Sequence, residues 1–404
     1  QTQSSLAIAI GSNAGFNQGS FSIAIGQFNG SNQGNNSISI GTQAAQTGQG
    51  VNGVAIGNQT AQISQGNNSV AIGFQAGQSN QSLTGVAIGT QAGVSRQGTG
   101  AIAIGSNAGF TSQSTNAVAI GSFAGNVSQG ISAVALGASS AGNFQGASAT
   151  AVGTGAGFNN QGSNAVALGA SAGSSGQGIT SIAVGSFAGA TNQGVQSIAI
   201  GFNAARATQG SNSIAIGLQA GSNNQSPAAV AIGNQAGLVA QGAGAIALGF
   251  SAATSNQLGG SIAIGSNAAL TGQASNAIAI GTNAGASGQA SNAIAIGQFA
   301  GSNLQSANTI AMGFGAGQSN QLTQAVAIGY IAGSNSQGIL AVALGSGAGN
   351  SLQGTQAVAL GPSAGSFGQG QYAVGIGASP AASGQGSNAI AIGYLTGFQS
   401  QGVN

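Results

Sequence analysis

The chain has 404 residues, 77 of them Gly, and its only formal charges are Arg96 and Arg206, since Lys, Asp, Glu, His and Cys are absent. Catalysis needs side chains that transfer protons, attack as activated nucleophiles or hold metals. We therefore expect no enzyme, no catalytic residue, no cofactor and no metal site. Two isolated arginines form no basic patch for nucleic acid. Apolar runs of about five residues are far shorter than the roughly twenty of a membrane helix, so we expect no membrane insertion.

A motif of the type Ala-Ile-Gly recurs along the whole chain. Its glycine falls at Gly11, Gly26 and Gly41 and then every sixteen residues to Gly393, which makes 25 repeats. A fixed period of this size is typical of a solenoid in which each repeat is one turn. We predict an all-β parallel β-solenoid, a β-roll of about 25 turns that forms a single domain over residues 1–404.

Each repeat contains one clear strand signal. The residues one and three places before the glycine are aliphatic, except Thr150, and the residue between them is Ala, except Ser39 and Gly375. A period of two indicates a β-strand with two different faces. We predict that the large side chains point inward and form the core, which in two consecutive repeats consists of Ile278, Ile280, Ile294 and Ile296.

The opposite face of this strand carries only small side chains. We predict that it points outward and forms a flat self-association face, because small uncharged side chains suit close, dry packing. Four consecutive repeats place Ala279, Ala295, Ala311 and Ala327 on this face.

After the strand glycine come two variable residues, then usually Ala, then Gly or Ala, which indicates a tight corner. Every repeat also has Gln, eight residues after the glycine in the sixteen-residue repeats. In-register amides on successive turns can hydrogen-bond along the stack, so we predict a structural glutamine ladder. An exposed row of glutamines that binds sugar or another surface is the alternative. The predicted ladder includes Gln49, Gln65, Gln81, Gln97, Gln113 and Gln129.

Aromatic residues cluster close after the strand glycine. They either fill a corner between turns or form a stripe for lateral contact. Those directly after the glycine are Phe74, Phe202, Phe250, Phe314, Tyr330 and Tyr394, and those one place later are Phe28, Phe123, Phe187 and Phe299.

The segments NSVAIG (68–73), NSIAIG (212–217) and SNAIAIG (387–393) resemble the head repeats of YadA-like trimeric autotransporter adhesins. This resemblance extends over nearly the whole chain. It implies a left-handed parallel β-roll, side-by-side association of three copies and an adhesive surface outside the cell. The period of sixteen is longer than the family's typical period of about fourteen.

Both ends of the repeat array look able to stack, and one turn alone is too small to fold, so stability must come from stacking. We therefore hypothesise an extracellular structural filament in which uncapped, uncharged rods self-associate end to end and laterally. The partner is the chain itself, as a homopolymer or homo-oligomer, either a trimer or a bundle.

Two alternatives remain. One is an adhesin head, or a viral or phage fibre module, that binds a host cell or matrix surface. The other is an ice-binding protein, although Thr follows the strand glycine only at Thr42, Thr90, Thr154 and Thr282. The expected location is extracellular or surface-exposed, on a cell, a secreted filament or a virion.

Overall fold

A computed structural model of the chain describes residues 4–397 and 399–402. It is an all-β parallel β-solenoid with no helix in these residues, so none that could cross a membrane. The chain divides into two compact units, Gln1–Asn203 and Ala204–Asn404. The single domain over residues 1–404 stays a prediction.

The first series of strands is the aliphatic wall, formed by the Ile-Ala-Ile motifs. Its strands pair in parallel with residues of the same repeat position opposite each other, as Ile278 is opposite Ile294. The β-branched pair favours the extended backbone, which explains why each motif becomes a strand. The first unit contains Ile8–Ile10, Ile23–Ile25, Ile38–Ile40, Val54–Ile56, Val70–Ile72, Val86–Ile88, Ile102–Ile104, Val118–Ile120, Val134–Leu136, Thr150–Val152, Val166–Leu168, Ile182–Val184 and Ile198–Ile200. The second unit contains Ile214–Ile216, Val230–Ile232, Ile246–Leu248, Ile262–Ile264, Ile278–Ile280, Ile294–Ile296, Ile310–Met312, Val326–Ile328, Val342–Leu344, Val358–Leu360, Val374–Ile376 and Ile390–Ile392.

The second series is the glutamine wall, whose strands end at the invariant Gln. These strands also pair in parallel and in register, as Gln289 is opposite Gln305. The first unit contains Thr47–Gln49, Ile63–Gln65, Ser79–Gln81, Ser95–Gln97, Thr111–Gln113, Val127–Gln129, Asn143–Gln145, Asn159–Gln161, Ser175–Gln177 and Thr191–Gln193. The second unit contains Ala207–Gln209, Asn223–Gln225, Val239–Gln241, Ser255–Gln257, Thr271–Gln273, Ser287–Gln289, Asn303–Gln305, Ser319–Gln321, Asn335–Gln337, Ser351–Gln353, Ser383–Gln385 and Gln399–Gln401.

The strand glycine turns the chain out of the aliphatic wall. Gly281 has φ of +126°, and a Cβ there would lie 2.8 Å from the carbonyl carbon of Gly297 in the next turn. Any larger residue would meet this backbone, in a conformation that L-residues rarely adopt. Glycine at this position is therefore required by the stacking of turns.

The prediction for the two faces of the aliphatic wall is wrong. Apart from the terminal turns, its central residues, Ala279, Ala295, Ala311 and Ala327 among them, have no accessible surface. They therefore point inward and form no outer face. The flanking residues Ile278, Ile280, Ile294 and Ile296 lie on the outer side and are only half-buried.

The reason for this reversal is the small space between the two walls. A Cβ placed on Gly285 would lie 2.8 Å from Oε1 of Gln289 and 3.2 Å from the Cβ of Ala279. The Gln side chain therefore crosses the interior and reaches the strand, where it leaves space for a methyl group only. Two isoleucines per turn do not fit beside it, so they face outward.

The inward position of Ala279 and the outward position of Ile280 can be tested by two stability measurements. Ala279→Val adds two methyl groups to the interior and should destabilise the fold by about 1–3 kcal/mol, as overpacking of a tight core does. Ile280→Val removes one methylene from the outer side and should cost less than about 1 kcal/mol. Thermal unfolding followed by circular dichroism compares the two. Equal losses, or a larger loss for Ile280→Val, would contradict the assignment.

Candidate functional site

The invariant glutamine joins the glutamine wall to the aliphatic wall in nearly all turns from Gln18 to Gln385. The Nε2 atom of Gln289 donates to the carbonyl oxygen of Ile278 at 2.7 Å and lies 3.1 Å from the carbonyl oxygen of Ala293 in the next turn. A buried amide needs such partners, because an unpaired one loses its hydrogen bonds to water without replacement. Each Gln is thus a brace between the walls and between successive turns.

The same amides also hydrogen-bond to one another along the stack. Gln289 Nε2 lies 3.1 Å from Oε1 of Gln305, and its own Oε1 accepts from Gln273 at 3.0 Å. The invariant glutamines from Gln18 to Gln385 are all at most 4% exposed, which contradicts the alternative of an exposed sugar-binding row. The column belongs to the interior of the fold.

Of the six glutamines predicted to form the ladder, only some are bonded in pairs. Bonds of 3.1 to 3.2 Å link Gln65 to Gln81, Gln97 to Gln113 and Gln113 to Gln129. Gln81 Nε2 instead donates to the carbonyl oxygens of Val70 and Gly85, and the Oε1 of Gln97 has no partner. The ladder is therefore interrupted, and the bonds to the backbone are the more regular feature.

Two departures from the repeat meet inside the first unit. Asn29 replaces a corner Ala, and Ser39 replaces the central strand Ala of the next turn. The Ser39 hydroxyl donates to Oδ1 of Asn29, whose Nδ2 donates to the carbonyl oxygens of Ile25 and Gly41 at 2.9 and 2.7 Å. Sequence analysis noted Ser39 but missed this compensation, which two rare polar residues one turn apart could have suggested.

A second amide ladder, which sequence analysis missed, lies outside the coil. Gln59, Gln75 and Gln91 each donate from Nε2 to Oε1 of the preceding member, at 3.1, 2.9 and 2.9 Å, and Gln43 is the first acceptor. All four are two residues after a strand glycine and are half-buried. The sequence signal that could have revealed this ladder is the presence of Gln at the same position in consecutive repeats.

The aliphatic surface is the main apolar feature outside the coil. We define it as the first and third side chains of every aliphatic-wall strand, and 49 of these 50 positions are Ile, Val, Leu or Met. The exception is Thr150. The most exposed members away from the chain ends include Leu344 at 46% and Leu136 at 43%. Contiguous apolar surface of this kind marks an interaction site.

Neither charge of the chain lies on the aliphatic surface. Arg96 is in the glutamine-wall strand Ser95–Gln97, and Arg206 directly precedes the glutamine-wall strand Ala207–Gln209. A charged residue on this surface would repel the same residue on a second copy. The aliphatic surface is therefore neutral as well as apolar.

Some of the aromatic residues that follow the strand glycine contact each other in adjacent turns. Phe187 and Phe202 meet edge to face with ring centroids 6.4 Å apart, and Phe314 and Tyr330 stack at 5.4 Å. These contacts favour the corner-filling interpretation within each cluster. Phe314 and Tyr330 are still exposed, so lateral contact stays open for them.

Comparison with known proteins gives one family match. The family model described as YadA head domain repeat (2 copies) matches residues 83–108, 177–204 and 273–300. No curated protein matches the chain. The three matched segments each include a complete Ile/Val-Ala-Ile/Val-Gly motif, in both units of the structure.

The buried brace can be tested with a carboxylate. Gln289→Glu removes the N–H donors of the side chain, and burial should raise the pKa of the new carboxyl above its usual value of about 4.3. Its protonated form can donate one hydrogen bond to Ile278 O, whereas its ionised form cannot. A raised pKa in the folded state means that stability is highest below about pH 4 and is lost as pH rises.

The wild-type chain is the matched control, because it has no Asp, Glu, His, Cys or Lys. Urea unfolding of both chains between about pH 4 and 9 should show a flat wild type and a variant that weakens toward neutral pH. A variant with flat stability would show that Gln289 is not enclosed.

Proposed function

We propose that this chain, which carries YadA-like head repeats, is an adhesin-like structural module that works outside the cell as a homo-oligomer. The aliphatic surface is the observation that supports this proposal. It is apolar at all but one position and uncharged, and it extends over every aliphatic-wall strand of each unit. In this arrangement copies associate through their aliphatic surfaces, and the glutamine wall stays outside.

The size of the aliphatic surface suits such an association. The thirteen strands of the first unit give twelve steps of about 4.8 Å, and a width of about 10 Å gives roughly 600 Å². Two copies then bury roughly 1,200 Å² in total, which is above the roughly 1,000 Å² expected of a specific interface. The second unit contributes a surface of similar size.

A second copy of the chain is the occupant that fits this surface best. Strands in both copies repeat at the same spacing of about 4.8 Å, so that rows of side chains on one copy match the grooves between rows on another. YadA-like heads form trimers in general, which agrees with this occupant. Lipid is a poor alternative, since no positive charge lies on this surface to attract anionic headgroups.

The proposed location follows from the family match and from the orientation of the walls. If the aliphatic surface is covered, the outer side of the glutamine wall and the corners face the surroundings. These regions are rich in Ser, Asn, Gln and Thr, and they would be the part that contacts a host cell or matrix. The proposal therefore favours the adhesin head over a self-standing filament, and end-to-end polymerisation stays a prediction.

Ice binding is supported by no feature of the structure. The threonines that follow the strand glycine occur in turns that are not adjacent to each other, so they form no regular row. They are Thr42, Thr90, Thr154 and Thr282. The central strand residues that could have formed a flat outer face are buried. A thermal-hysteresis assay checks this alternative directly.

Sedimentation velocity tests the homo-oligomer. The wild-type chain should sediment as an oligomer, and the double variant Ile280→Lys/Ile296→Lys should shift toward monomer, because it places two charges on an apolar interface. The control Ser287→Lys/Asn303→Lys puts the same charges on exposed positions of the glutamine wall in the same two turns. This control variant should leave the oligomer intact. A wild-type chain that sediments as a monomer would refute the proposal.

A further inference from the structure

The regularity of the aliphatic surface creates a problem of register. If copies associate through this surface, as proposed above, a shift by one turn moves one copy by about 4.8 Å and presents nearly the same row of side chains again. A surface composed only of Ile, Val and Leu would therefore permit several axial registers of similar stability. A single register needs a residue that differs from the others.

Thr150 is that residue, since it is the one polar side chain among the 50 positions of the aliphatic surface. Its backbone is fully used, because its N–H donates to Ala165 O and its carbonyl oxygen accepts from Gln161 Nε2, both at 2.9 Å. The half-buried side chain has no hydrogen-bond partner for its hydroxyl among the described residues. The hydroxyl is therefore available to a second copy.

The surroundings of Thr150 are shaped differently from the rest of the surface. Its own strand ends at Val152, whereas the neighbouring strands end at the longer Leu136 and Leu168, which are 43% and 37% exposed. These leucines occupy the third position of their strands, whereas Thr150 occupies the first and has Val134 and Val166, side chains of its own size, beside it. The hydroxyl is thus level with its aliphatic neighbours, where the same side chain of a second copy can meet it.

We propose that Thr150 sets the axial register of the homo-oligomer. When copies associate in register, their Thr150 hydroxyls lie at one level of the shared interior and hydrogen-bond to each other, directly or through one water. A shift by a turn places each hydroxyl against aliphatic side chains and leaves it unpaired, which disfavours that register roughly tenfold or more per hydroxyl. A single polar residue in the core of a coiled coil selects register in the same way.

Cysteine cross-linking tests this proposal without interference, because the chain has no native Cys. The reporters are Val70→Cys and Val86→Cys, which lie in the same column as Thr150 and are direct neighbours in adjacent turns. One chain carries the first reporter and a size tag, the second chain carries the other reporter, and the two are co-expressed and mildly oxidised. A disulfide requires Cα atoms within about 7 Å, with about 5.5–6 Å preferred. A Cys one turn away is already displaced by about 4.8 Å along the axis, so a reporter in one copy pairs preferentially with a Cys at the same level.

With Thr150 present, we expect disulfides mainly between identical reporters and few between different ones. Thr150→Val, which keeps the shape of the side chain, should raise the fraction of disulfides between different reporters about tenfold or more. The relocation variant Thr150→Val/Val166→Thr moves the hydroxyl to the next turn and should restore pairing between identical reporters. This rescue separates an effect of the hydroxyl from an effect on local folding.

The possible failures are distinguishable. Oligomers of Thr150→Val that still pair only identical reporters would overturn the role of Thr150 and leave the homo-oligomer intact. Oligomers that give no disulfide between identical reporters would show that the Thr150 columns of two copies do not face each other. This result would also overturn the role of Thr150 and leave the homo-oligomer intact. A wild-type chain that sediments as a monomer would overturn the homo-oligomer and the register proposal together.

Discussion

The buried glutamine amide is the interaction on which the other features of this structure depend. It carries two N–H donors and a carbonyl acceptor into the space between two walls, where the Gln side chains are at most 4% exposed, so neighbouring turns must supply partners. The carbonyl oxygen at the start of the aliphatic-wall strand is one of them, as Ile278 O is for Gln289. The strand is thereby held at a fixed distance from the glutamine wall, and this distance leaves space for Ala279 but not for a larger residue.

The same amide explains why the repeat is so constant. Gln289 contacts its own turn through Ile278 and the next turn through Ala293 and Gln305. Replacing it in one turn therefore disturbs at least two. Solenoid stability depends mainly on contacts between neighbouring repeats, so a residue that serves two turns is held constant more strictly than one on the surface. The two positions directly after the strand glycine, where side chains reach solvent, vary widely in this sequence.

Much of the fold could be predicted from the sequence, because the period, the strand motif and the invariant Gln are all local patterns. The orientation of the strand could not be predicted from its period of two, because alternation identifies two faces without saying which is buried. The usual preference for large aliphatic residues inside gave the wrong choice for Ile278 and Ile280. A volume argument could have corrected it, since an inward Gln on one wall requires small residues such as Ala279 and Gly285 on the other.

The site was harder to predict than the fold for the same reason. Ala279 and its equivalents were taken as the outer face, so the aliphatic surface was hidden in the expected core, and Thr150 looked like a minor exception in that core. Once the faces are exchanged, Thr150 becomes the one polar side chain on the aliphatic surface. The pairing of Asn29 with Ser39 likewise depends on contacts between turns, which no single repeat reveals.

Along the aliphatic wall, aliphatic side chains point outward while polar Gln amides lie in the interior, which is the reverse of the usual arrangement in proteins. The interior tolerates this because the Gln amide nitrogens donate to backbone carbonyl oxygens, whereas the exterior has no equivalent compensation in a single copy. Half-buried Ile278 and Ile280 gain further burial only when another surface covers them. Association is therefore expected to complete the burial that the coil leaves unfinished, and the stability of one copy is linked to the presence of the others. A chain with almost no charge suits this linkage, since it has little electrostatic repulsion to oppose the approach of an identical copy.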